Sequence, residues 1–214
     1  MNVAAAVEDV RDLATRRVHP TKADLRRWHS TIYAGCSVPS PAYVGAFRGE
    51  RDPHVLDYEV GVGPPMPDGL PERVGVWSAD VAGELARFFD RLADALGVLD
   101  GVLAPGARPV GVDELGEVVT LTAMVHGEWV RIHPFVNGNG RTARLLAAHV
   151  ALRYGLPIFV TLKPRPHDVA YARASKASMG RPPDFVGNHA EAVAVFGHLL
   201  ALELLGPSPP QDTT

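Results

Sequence analysis

The sequence predicts a mainly α-helical domain with one small β element. Three observations lead there: six segments read as helices by the spacing of their apolar residues, glycine or proline punctuates most of them, and the β-prone pieces are confined to one Pro/Gly-rich stretch. In the first segment Val3, Ala6, Val7, Val10, Leu13 and Ala14 share a face, and His19-Pro20 stops the run. Thr21 caps a second helix from Lys22 to about Tyr33, with Leu25, Trp28, His29 and Ile32 on one side and Gly35 at its end. From Ser37 to Pro71 the chain reads as a loop carrying a small hairpin, with β-prone pieces at Tyr43 to Phe47 and Val55 to Val62. Ser78 caps a third helix along Val81, Leu85, Phe88, Phe89, Leu92 and Leu96, and a loop from Gly97 to Gly111 follows it. Asp113 opens a fourth, whose buried face comprises Leu115, Val118, Val119, Thr122, Val125, Trp129 and Ile132. Thr142 to Tyr154 forms a fifth, with Leu145, Leu146, Val150 and Leu152 inward and Gly155 and Pro157 as its stop. A last helix spans Asn188 to Leu205. One domain over residues 1–205, followed by a disordered polar tail over 206–214, accounts for the length.

With 21 Lys and Arg against 24 Asp and Glu, the net charge is −3, so no global basic field draws the chain to nucleic acid or to an anionic membrane. Any phosphate chemistry must come from a local cluster. The single cysteine, Cys36, excludes an internal disulfide and a Cys-rich metal site, and it fits a reducing, cytoplasmic setting. No apolar run reaches the roughly 18 residues of a membrane span, and Glu8, Asp9 and Asp12 stand where a signal peptide would be apolar.

The segment between the fourth and fifth helices, His133 to Arg144, reads HPFVNGNGRTAR. Gly138, Asn139 and Gly140 are small enough to turn successive N–H groups toward one point as the next helix opens, and such a helix start favours an anion, most often phosphate. Arg141 and Arg144, three residues apart, are placed to clamp phosphates from the same side. A bare Gly-Asn-Gly also fits a plain tight turn with solvated arginines behind it. His133, pushed out of helical geometry by Pro134, is a candidate base near neutral pH. Phe135 reads as an anchor to the core. His126 precedes His133 by two helical turns, about 10.5 Å, too far to share a metal, and reads as a packed or hydrogen-bonded helix residue.

HPFVNGNGRTAR resembles the Fic motif, His-Pro-Phe-any-Asp/Glu-Gly-Asn-Gly-Arg-any-any-Arg, at eight of nine fixed positions. The piece AYVGAFRGE and Leu25 to His29 in LRRWH add to the likeness, which covers roughly residues 2–200. The resemblance implies a Fic-type helical bundle with a small β-hairpin flap that binds Mg²⁺ and ATP and transfers AMP to a Ser, Thr or Tyr hydroxyl of a target protein. It implies that His133 takes the hydroxyl proton, that Gly138, Asn139 and Gly140 hold the phosphates, and that Arg141 and Arg144 steady the outer phosphates. It also implies a flap that aligns the target by strand addition, for which residues near His54 to Gly63 are the candidate.

One position departs. Asn137 stands where the family has the Asp or Glu that binds Mg²⁺, so the metal position is weakened. Three readings follow: an adenylylating enzyme, a nucleotide-binding protein without turnover, and Fic-type transfer of another phosphate-linked group. The family's inhibitory string, Ser/Thr-any-any-any-Glu-Gly/Asn, is missing. Glu8 has the nearest spacing but lacks its neighbours, which leaves two alternatives, regulation by a separate partner chain or none. Tyr171, Lys163 and Arg165 are placed either to line the nucleotide or to sit in a surface loop.

Overall fold

In the computed structural model the described residues are 2–65, 67 and 69–206, and the expected tail lies almost entirely outside them. Seven α-helices are found there: α1 (Val3–Thr15), α2 (Lys22–Tyr33), α3 (Val81–Val102), α4 (Val112–Ile132), α5 (Asn139–Arg153), α6 (Val169–Met179) and α7 (Ala190–Leu205). The strands β1 (Val60–Pro65) and β2 (Pro71–Val74) form a two-stranded antiparallel hairpin, pairing Val60 with Val74 and Gly61 with Arg73.

The mainly α fold with a small hairpin flap is therefore what the chain adopts. Its axis is α5, a helix buried on nearly every side, with Leu145, Leu146, Ala147, Val150 and Ala151 each about 1 % exposed or less. Helices α1 and α4 pack along it, and α6 and α7 pack against α4 and against each other. Burying aliphatic side chains of this kind contributes roughly 1.5–3 kcal/mol apiece, so the central helix holds its place by packing rather than by an amphipathic stripe.

Several elements follow the sequence closely. Thr21 caps α2 in a reciprocal box: its hydroxyl accepts from the Asp24 N–H, and the Asp24 carboxylate accepts from the Thr21 N–H at 2.7 Å. Leu25, Trp28, His29 and Ile32 are all buried, and Trp28 Nε1 donates to Asp9 of α1. On α4 the expected inward face is buried, apart from the half-buried Leu115.

Other elements differ, for physical reasons. The β-prone piece Tyr43–Phe47 is no strand. Phe47 and Val55 are instead core plugs within a loop, and the hairpin lies further along the chain, where only residues 60–62 of the expected strand take part. Helix α5 starts three residues before Thr142, because the Gly138 carbonyl accepts from both Arg141 N–H and Thr142 N–H. Helix α6 gives little periodic signal, since its inward face is Tyr171, Ala174 and Ser178. Its N-cap is nonetheless a familiar one, the Asp168 carboxylate accepting from the Ala170 N–H at 2.7 Å.

Helix α3 runs on through Gly97 and Gly101 to Val102. Leu103 is buried beyond it, and Arg17 donates to the Leu103 and Ala104 carbonyls, which holds the helix end that the two glycines weaken. Both glycines are exposed, with open space where a Cβ would go. Replacing both with alanine is expected to stabilise the protein by about 1–2 kcal/mol, seen as a higher urea midpoint. A loss of stability would show that this segment is not helical in solution.

Candidate active site

The site is built where α4 ends and α5 begins. His133 closes α4 in the left-handed region, at φ 53°, with its N–H still bonded to the Trp129 carbonyl at 3.0 Å. The residue before Pro134 thus leaves helical geometry, as the sequence predicts, and does so by turning back on itself to cap the helix. Its carbonyl then accepts from Arg48 Nε at 2.8 Å. The ring Nδ1 lies 3.1 Å from the Val130 carbonyl. A carbonyl can only accept, so Nδ1 carries the proton and Nε2 keeps its lone pair. Burial, with Arg48 adding to it, pushes the imidazole down to about 4 against the Val130 bond, so the ring is neutral at neutral pH.

Two side chains pin the next residues. Phe135, fully buried, stacks on His29 at 3.9 Å and leans on Phe47 and Trp129. Asn139 folds its amide onto the loop: Oδ1 accepts from the Phe135 N–H at 2.9 Å, and Nδ2 donates to the Phe135 carbonyl at 2.7 Å. His29 completes the support, with Nδ1 accepting from the Gly45 N–H at 3.1 Å and Nε2 donating to the Asn137 carbonyl at 3.0 Å. Gly138 is left-handed at φ 82° and packs under Tyr33 and His29, so only glycine fits there. Helix α5 begins without a side-chain cap, and since the Gly138 carbonyl takes up the Arg141 and Thr142 N–H groups, those of Asn139 and Gly140 are left to meet an anion.

Behind the loop, Arg48 is 1 % exposed. Its guanidinium donates to five oxygens: the carbonyls of Ile132, His133, Val76 and Tyr58, and the Glu59 carboxylate at 3.2 Å. Burial lowers its pKa to about 10, which leaves it charged. The spacing of the sequence did not single out this residue, although it lies within AYVGAFRGE. The exit of the flap is equally tight. A Cβ at Gly75 would run into His133 Cβ and Arg48 Nη2.

In front of the loop lies a cavity of about 430 Å³. His133, Gly140 and Arg144 line one wall, with flap residues Glu72 and Val74 and the α6 residues Tyr171 and Lys176 facing them. Arg144 is held by the Leu162 carbonyl through Nε and Nη2, and its Nη1 lies 3.5 Å from the Tyr171 hydroxyl. That hydroxyl is 2.8 Å from Nε2 of the buried His126, which is thus the packed, hydrogen-bonded residue expected.

Not every candidate converges. Arg141 turns away from Arg144, donating to the Tyr33 hydroxyl at 2.7 Å, so the two guanidiniums do not form one clamp. Three residues along a helix leave side chains some 60° apart, and different partners draw these further apart. Asn139 turns its side chain inward and can offer an anion only its backbone. Asn137 is exposed and outside the cavity wall. Of the post-helix candidates, Tyr171 and Arg165 line the cavity and Lys163 does not.

A model of the Fic/DOC family matches residues 19–151. The chain belongs to the Fic/DOC family. Among curated proteins it is similar to protein adenylyltransferase fic-1 of Caenorhabditis elegans, 40 % identical over 91 residues that make up 38 % of this chain and 18 % of the relative. It is also similar to protein adenylyltransferase Fic of Nematostella vectensis, 36 % identical over 73 residues, 34 % of this chain and 17 % of that protein. The match with protein adenylyltransferase Fic of Drosophila melanogaster is 51 % over 39 residues, covering 18 % and 8 %. The chain thus spans less than a fifth of these relatives. A solved Fic domain containing signaling protein from Bacteroides thetaiotaomicron shares the fold, with a TM-score of 0.65 at 22 % identity over 94 % of this chain and 68 % of that one.

Burial gives this Fic/DOC chain a built-in acid sensitivity. His29, His133 and His149 are lowered to about 4 and His126 to about 3, in each case first by desolvation. Their unfolded value is near 6.5, so folding is favoured fully above pH 6.5 and progressively less as pH falls toward 4. Thermal melts across that window are expected to drop in midpoint, and replacing His126 with glutamine is expected to flatten the drop. Separately, Arg48→Met strands buried carbonyls and is expected to cost about 3–5 kcal/mol, measured by urea unfolding.

Proposed function

We propose that the chain is a protein nucleotidyltransferase that moves AMP from ATP to a Ser, Thr or Tyr hydroxyl of a target protein. One observation carries this reading: His133, with Nδ1 tied to Val130 and Nε2 unprotonated, borders the same cavity as Gly140 and Arg144. The family and its adenylyltransferase relatives support transfer chemistry at the coarser level.

In this reading the triphosphate lies at the start of α5, its oxygens met by the Asn139 and Gly140 N–H groups and by Arg144. The target hydroxyl oxygen attacks the α-phosphorus while His133 Nε2 takes its proton. The bond from the α-phosphorus to the bridging oxygen breaks, and pyrophosphate leaves with that electron pair. Arg141, held on Tyr33, lies outside the cavity wall, so Arg144 is the motif arginine that meets the phosphates in this reading.

A carboxylate-anchored Mg²⁺ does not fit position 137. Asn137 Oδ1 faces the Gly138 N–H at 2.7 Å, so the outward end of the amide is an NH₂ donor where an aspartate would present an oxygen. The same observation favours a second reading, nucleotide binding with little turnover, and regulation by a separate inhibitory chain remains compatible with either.

Labelled ATP incubated with the chain and lysate, followed by mass spectrometry, separates the two. Transfer is expected, with His133→Ala lowering it by at least about a hundredfold. Because His133 is lowered to about 4, kcat/KM is expected to hold from about pH 7 to pH 5.5, whereas an ordinary histidine near 6.5 would lose most of it. No covalent product with any of the four ribonucleotides, alongside activity created by Asn137→Asp, would sink the enzyme reading and establish the second.

A further inference from the structure

The cavity has a second cationic pole that the proposed reaction leaves unused. Arg144 marks one pole. Lys176 and Arg181 mark the other, with Lys176 five residues beyond Tyr171 along α6, roughly 7.5 Å of helical rise. Arg73 is committed, lying over the Trp77 ring and near Glu59, and Arg173, outside the cavity wall, is paired with Glu191; Arg165 and His167 line the wall on the connection ahead of α6. The acids of the cavity wall are committed too. Asp168 caps α6.

Glu72 is the telling one. It projects from β2 across the cavity mouth and accepts from Lys176 Nζ at 2.9 Å. The Lys176 bond, with a smaller attraction from Arg181, holds its carboxyl below the usual carboxylate range. A carboxylate and a phosphate present the same kind of acceptor oxygens to an ammonium and a guanidinium, and phosphate presents more of them with more charge. The Glu72–Lys176 pair is largely solvated, at 31 % and 59 % side-chain exposure, so it is weak enough to be replaced.

We propose that Lys176 and Arg181 form an anion subsite at the cavity mouth that takes a phosphate group, and that Glu72 is the internal carboxylate that fills it until phosphate arrives. The natural occupant, an outer phosphate of the nucleotide or the released pyrophosphate, rests on the nucleotide-transfer reading. Occupation of the subsite has a second effect. It breaks the ion pair between flap and α6, and so frees the flap edge as the nucleotide settles.

Calorimetric titration of the whole chain, without target protein, tests this with ATP, AMP and inorganic pyrophosphate as probes. Glu72→Gln is expected to tighten ATP and pyrophosphate about two- to fivefold at low salt, a gain that shrinks as salt rises. Arg181→Ala is expected to weaken both, and AMP is expected to respond to neither change. Arg181 is exposed and Glu72 half-buried, and unchanged melting temperatures confirm that the variants fold. The subsite is overturned if Glu72→Gln tightens neither ATP nor pyrophosphate, or if Arg181→Ala weakens AMP as much as ATP. Should pyrophosphate alone bind and show the expected pattern, the subsite stands and the nucleotide reading falls. Should the nucleotides bind and the variants change nothing, the reverse holds. If no probe binds, both fall.

Discussion

The end of α4 is a hazard that one side chain resolves. The last carbonyls of any α-helix lack intrahelical partners, and here two of them, from Ile132 and His133, are shut inside the protein. Arg48 answers both from a single guanidinium, and a cation at a helix C-terminus is electrostatically favoured as well. The same group also takes up the Val76 carbonyl at the exit of the hairpin and the Tyr58 carbonyl and Glu59 carboxylate at its entrance. The motif loop, the base of the flap and the long connection before it are therefore fastened at one point. A lysine could not do this, since its ammonium has three donors and no planar fork.

Around that point the loop divides its labour. Phe135 and the side chain of Asn139 face the core and fix the backbone path, with His29 bracing from α2. His133, Gly140 and Arg144 face the cavity. Conformational freedom has been removed from the supporting residues in advance, so an incoming anion meets donors already in place and need not order them.

How much of this could be read from the sequence depended on how local the cause was. The Thr21–Asp24 box, the faces of α2 and α4 and the Phe135 anchor all follow from residues within one or two turns of each other. The extension of α3 through two glycines follows from Arg17, far away in the chain, and the loss of a strand at Tyr43–Phe47 follows from burial of Phe47 beneath Phe135 and Trp129. Arg141 and Arg144 illustrate the limit within the motif itself. Spacing placed them on neighbouring faces, but Tyr33 and the Leu162 carbonyl, which draw them apart, belong to α2 and to the connection after α5. Arg48 lacked a local signature, being an isolated arginine, and α6 had little beyond its Asp168 cap, its inward face being tyrosine, alanine and serine.

Gly75 sits directly against the Cβ of His133, with no room for an atom between them. The hairpin ends one residue earlier, at Val74. A shift of the hairpin's exit toward α4 therefore meets the very atom that carries the imidazole, so the base of the flap and the end of α4 hold each other in place at a single contact.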